Sequence, residues 1–136
     1  MLDRALELYD EAINTDPKNP NHYIKKSFVY AEKAARQKDK QSLYDTAIAL
    51  TNTAIKLDKS SARAYYDRAC YKHLRGGINK AEALHDLETA IKYNDMMRKM
   101  AKLDPDLKDL HHDAYFTKLV NTESVGAASE KAAASA

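Results

Sequence analysis

The sequence predicts an all-α protein built from antiparallel helix pairs, and three observations carry that prediction. Apolar residues recur three and four positions apart along most of the chain, the spacing that lines one face of a helix. Glycine and proline number three each among 136 residues, too few for the many turns of an all-β fold. Those few sit at junctions: Pro17 and Pro20, Gly76 and Gly77, then Pro105, with Gly126 in the tail. Hydrophobic residues make up 44% and charged residues 31%, which excludes a disordered chain. No apolar run approaches the ~20 residues that a bilayer-crossing helix needs. The length suits one domain, large enough to bury about two thirds of its unfolded surface.

In chain order, the first helix is expected over 2–15, closed by the Pro17–Pro20 junction. Helices over 20–38 and 42–58 follow, the first opened by Pro20, whose fixed φ suits the first helical turn. The next two span 62–75 and 79–94 and are separated by Gly76-Gly77. Asn79 with Glu82 has the pattern of a capping box, in which side chain and backbone satisfy each other at a helix start. A short helix is expected over 96–102. Asp104 before Pro105, and Asp113 before a helix over 113–120, are starts in which a carboxylate takes up free N–H groups. Residues 121–136 hold one large apolar side chain, Val125, and are expected to form a disordered Ala/Ser-rich tail.

The chain also repeats. Ala5, Tyr9, Ala12 and Pro17 stand in the same frame as Ala47, Thr51, Ala54 and Lys59, and again as Ala83, Leu87, Ala90 and Asp95. Tyr23, Ser27 and Tyr30 precede the second copy, and Tyr65 and Ala69 the third. Small residues at these places let two antiparallel helices approach closely, so Ser27 is expected to face Ala47 and Ala69 to face Ala83. The copies lie 42 and 36 residues apart. The first excess falls near Gln37–Tyr44, as longer helices or a longer turn, and the second at Gly76-Gly77.

This frame resembles the tetratricopeptide repeat (TPR), a 34-residue helical hairpin marked by aromatic and small residues and an Ala-x3-aromatic block. Lys26 and Arg68 occupy the usual leucine position, and Lys72 stands in place of the second aromatic. The stretch from Leu103 through Asp-Pro-Asp-Leu to Leu119 is similar to the terminal unit of many TPR arrays. The resemblance implies a right-handed superhelix of antiparallel hairpins with a folded-back C-terminal cap. Its divisions would be an N-terminal half-repeat (1–19, second helix only), hairpins over 20–61 and 62–95, and capping helices over 96–120. Leu103, Leu107, Leu110, Tyr115, Phe116 and Leu119 would cover the last repeat, which otherwise exposes an apolar face. Helix 1 lacks its partner helix, which fits either a fragment of a longer array or a makeshift cap.

The resemblance also implies a function. In TPR proteins the first helix of each repeat lines a concave groove. Those positions are Asn21, Ile24, Lys25, Phe28, Ala31 and Glu32, then Arg63, Tyr66, Asp67, Cys70, His73 and Leu74. Phe28, Tyr66 and Leu74 would offer apolar contact among polar groups, which suits an extended peptide or a partner helix. The Lys and Asn with which some TPR domains clamp the carboxylates of chaperone tails are replaced here by Ile24 and Phe28.

Charge is unevenly placed. Residues 1–19 hold two basic and five acidic side chains, and residues 20–40 hold six and two. At ~100° per residue, Lys25, Lys26, Lys33, Arg36 and Lys40 share one face of a helix over 20–38. That basic lip is expected to recruit an acidic partner; RNA binding through it is the alternative. The net charge of +2 and the lack of interleaved exposed aromatics count against nucleic acid. The uncovered stripe of helix 1, Leu2, Ala5, Leu6, Tyr9, Ala12 and Ile13, is expected to favour a homodimer.

Catalysis and metal binding are not expected, nor any cofactor. Cys70 and His73 share a helical face, but zinc needs further ligands and no second pair is spaced to supply them. In His111-His112-Asp113 adjacent side chains point apart, and Asp113 is explained as a cap. No phosphate loop, nucleophile elbow or metalloprotease motif occurs. A single cysteine and a polar, acidic N-terminal stretch give the expectation of a reducing, cytoplasmic location.

Overall fold

The structure, a computed structural model, describes residues 2–122. Described residues are helical apart from short connections: α1 (Leu2–Thr15), α2 (Pro20–Arg36), α3 (Lys40–Leu57), α4 (Ala62–Arg75), α5 (Lys80–Tyr93), α6 (Met96–Leu103), a 3-10 segment (Pro105–His112) and α7 (Ala114–Asn121). None of the described helices is long and apolar enough to cross a membrane. Each long helix packs on the next in sequence, and α2 also touches α4. The proposed tail lies outside the described residues from 123 onward, while Asn121 still closes α7.

Helix ends follow local chemistry. The side chains of Asn19, Ser61, Asn79, Asp104 and Asp113 each accept a backbone N–H in the turn that follows. The capping box at Asn79 is not formed as expected. Its side chain takes the Ala81 N–H, and the Glu82 N–H reaches the Asn79 carbonyl instead. Gly76 and Gly77 both have φ in the left-handed region, at 76° and 73°, where a Cβ would be strained. The excess in the first repeat resides in helix length. α2 and α3 have 17 and 18 residues against 14 each for α4 and α5, and three residues connect them. Gln37 is extended (φ −126°, ψ 159°), so α2 ends before Lys38 and Lys40 begins α3.

The internal repeat is visible in the hydrogen bonds. The N–H groups of Asp16, Asp58 and Asn94 close α1, α3 and α5 on the carbonyls of Ala12, Ala54 and Ala90, one alanine from each copy. The Tyr23 hydroxyl donates to the Pro17 carbonyl, and 42 residues on Tyr65 donates to Lys59. Lys26 pairs with Asp10 at 2.6 Å; at the equivalent positions Arg68 donates to Asn52 at 2.9 Å. At both of these positions of the repeat a basic side chain thus reaches back to the preceding helix.

The core runs from Ala34 through Tyr44, Ala47, Tyr66, Ala69 and Leu87 to Phe116 and Val120. Ala47, Ala54 and Ala90 have no exposed surface, which is the close approach their size permits. Ser27 is equally buried, and its hydroxyl donates to the Ile24 carbonyl at 2.6 Å and lies 3.2 Å from that of Tyr71. At the C-terminal end Leu107, Leu110 and Phe116 are buried as expected, but Leu103 is 74% exposed and Tyr115 is exposed too. Met97 and Ala101 of α6 and Val120 of α7 are buried instead; α6 turns its Met97–Ala101 face inward and leaves Leu103 outside.

One buried cluster was not anticipated. Asp86 of α5, only 2% exposed, accepts two bonds from Arg68 (2.9 and 2.7 Å) and lies 3.0 Å from the Lys72 ammonium. The two basic residues that depart from the repeat pattern on α4 therefore converge on one carboxylate.

Candidate functional site

Two clefts open on the side formed by α2 and α4. The first, of about 350 Å³, lies between Phe28 and Glu32 of α2, Arg63, Asp67 and Leu74 of α4, and Met100, Asp104 and Asp106 of the C-terminal segment, with Tyr66 and Cys70 in its lining. The second, of about 410 Å³, is lined by Tyr9 of α1 and by Asn21, Ile24 and Lys25 of α2. Both include Phe28, Arg63 and Asp67, so they are two reaches of one groove that runs from α1 to the 3-10 segment.

Most of the expected groove residues therefore meet in space; His73 is absent from both linings. Their availability differs. Phe28 is 51% exposed and stands where the two reaches join. Tyr66, expected as a second anchor, is 1% exposed. Its hydroxyl donates to Asp104 Oδ2 at 2.7 Å, and burial pushes its pKa well up. It is a floor residue that ties α4 to the C-terminal segment. Ile24 and Cys70 are buried likewise. Burial, and after it the Asp104 carboxylate, raises the Cys70 thiol, so the thiolate is suppressed.

The acidic lining was only partly foreseen. Asp67 is buried and paired with Arg63 at 3.1 Å. Burial nevertheless raises its pKa to about 6, against the opposing pull of Arg63. Asp104 uses Oδ1 to take the Asp106 N–H, the cap read from the sequence, while Oδ2 faces the groove floor. Burial and then Asp104 raise Asp106. Glu32, Asp67, Asp104 and Asp106 come from three separate segments, so no local pattern joins them.

The basic lip is arranged differently from its expectation. Lys26 pairs with Asp10, and Lys33 lies 3.2 Å from Asp3, so the acidic excess of residues 1–19 meets the basic excess of α2 within the chain. Lys40 belongs to α3. Lys25 lines the α1 end of the groove, and Arg36 is exposed at the end of α2. Among the described residues, no three His, Cys, Asp or Glu side chains are gathered as a metal would require. Asp113 caps α7 through the Phe116 N–H and pairs with Lys80, while His111 and His112 are exposed. No protein-family model matches the chain, and no curated protein matches its sequence.

Proposed function

We infer that the protein is a non-catalytic interaction module of TPR type, a scaffold or adaptor that takes up a peptide or helix of another protein in its concave groove. The observation that carries this reading is the continuous groove centred on Phe28. A large aromatic left half-exposed between two clefts offers contact area at low ordering cost, as binding anchors do. The repeated hydrogen bonds at Ala12, Ala54 and Ala90 support the TPR assignment. They place the same helix end at the same alanine of each copy, as a repeated unit would. The RNA alternative has less support, because Lys26 and Lys33 are engaged by α1.

Panning a displayed library of short random peptides against the protein tests the reading. Enriched peptides are expected to bind in a manner that depends on Phe28, with Phe28→Ala raising the dissociation rate about tenfold or more. Tyr66→Ala is unsuitable as a probe because it opens the core. Enriched peptides indifferent to Phe28→Ala, in a variant with an unchanged circular dichroism spectrum, would refute the groove.

A further inference from the structure

We propose that the occupant of this groove is a basic polypeptide segment, one that lays an apolar side chain on Phe28 and directs Lys or Arg toward the C-terminal end. The inference rests on the groove reading and adds the chemistry of the partner. Three facts point the same way. First, the cleft at that end is lined by Glu32, Asp67, Asp104 and Asp106 against a single cation, Arg63. Second, Arg63 is committed to Asp67, so among the described residues the remaining three carboxylates face the cleft without a paired cation. His73 is close enough to Asp106 to act on it but lies outside the cleft lining; Lys25 lies at the opposite end. Third, these carboxylates have acceptor capacity to spare. Among the described residues the Glu32 and Asp106 side chains make no hydrogen bond or ion pair, and Asp104 uses one oxygen for the Asp106 N–H and the other for Tyr66 and, weakly, Cys70. An ionised carboxylate accepts about four bonds.

An acidic segment would meet like charge at this end, which costs affinity and suppresses the wrong partner. A neutral one would leave the acceptors facing solvent or an apolar chain. A Lys or Arg side chain instead lays its apolar stem along Leu74 and Met100 and carries its charge to the rim. Lys25 at the α1 end suits the opposite polarity, so the segment is read in one direction.

Three peptide pools test this, each with the same randomised apolar positions and with Lys/Arg, Asp/Glu or Gln at the remaining ones. Anisotropy is measured at low and at physiological salt. The basic pool is expected to bind most tightly, to weaken with salt, and to lose roughly tenfold when Glu32→Gln and Asp106→Asn are combined. Both side chains lack partners, so the variant should fold normally. Phe28→Ala should weaken the same pool. Phe28-dependent binding of the acidic or neutral pool at equal or higher affinity overturns the basic-segment inference and leaves the groove reading intact. No Phe28-dependent binding by any pool overturns both.

Discussion

Replacing Asp86 by alanine removes the carboxylate on which Arg68 and Lys72 converge, and the expected loss follows from the geometry. The Asp86 side chain is 3% exposed, and those of Arg68 and Lys72 are 19% and 18% exposed. The substitution leaves two largely desolvated cations side by side, one of them still donating to Asn52. Removing one partner of a buried ion pair costs about 3–5 kcal/mol, chiefly through the uncompensated charge left behind. At this chain length each kcal/mol moves the thermal midpoint by about 4 °C, so the midpoint should fall by roughly 12–20 °C. Thermal unfolding followed by circular dichroism measures it. A second variant separates the cost of breaking the cluster from its net worth. Replacing Arg68, Lys72 and Asp86 together by Leu, Tyr and Leu fills the site with apolar side chains of the types the TPR resemblance gives to the two α4 positions. Such replacements are often neutral or stabilising, so its midpoint should lie within about 4 °C of the parent or above it. A fall of less than about 4 °C for Asp86→Ala would refute the reasoning, because the carboxylate would then not be holding α4 to α5.

Ala83 is 3% exposed and Ala81 on the same helix is exposed, so Ala83→Leu should destabilise by about 1–3 kcal/mol and Ala81→Leu hardly at all; equal melting midpoints would contradict the close helix contact. Asp67 should titrate near 6 rather than 3.8 when followed by carboxyl-carbon NMR. Because the folded-state value is raised, its contribution to stability is full below about pH 4 and is lost as pH rises through about 6, a change of roughly 3 kcal/mol. Asp67→Asn should flatten that part of the stability profile relative to the parent, and an unchanged profile would exclude Asp67 as its source. The apolar stripe of α1 is only half covered, with Leu8 47% exposed beside it. Concentration-dependent dimerisation, weakened by Leu6→Glu or Ile13→Glu, is therefore expected in sedimentation velocity, and a strictly monomeric profile at high concentration would count against it.

Much of the local architecture was legible because its causes are local. Helix starts at Asp104 and Asp113 follow from carboxylates that accept the first free N–H groups, as Asn19 and Ser61, which the sequence reading did not single out, also do, and the turn at Gly76-Gly77 follows from two residues that tolerate positive φ. The alanine frame announces where helices approach, since only small side chains fit there. What the frame leaves open is how well each copy is covered. Ala12, Ala54 and Ala90 close their helices identically, yet Ala54 and Ala90 are fully buried while Ala12 is only partly buried, because α1 packs on α2 whereas α3 and α5 are flanked on both sides.

Charge was the least legible property, and long-range pairing is the reason. A basic face on α2 reads the same in sequence whether it meets solvent, a partner or another helix, and only the packing of α1 on α2 decides that Lys26 and Lys33 are neutralised from within. Arg68 and Lys72 look like blemishes in a repeat until Asp86 is brought between them from α5. Tyr66 looks like an exposed anchor until Asp104, 38 residues further on, takes its hydroxyl. Helix type, turn chemistry and repeat frame depend on neighbours within a few residues, so the chain alone determined them. Which carboxylates share a groove, which lysines are already answered and which aromatic remains open depend on segments distant in sequence, and the tertiary structure alone decided those.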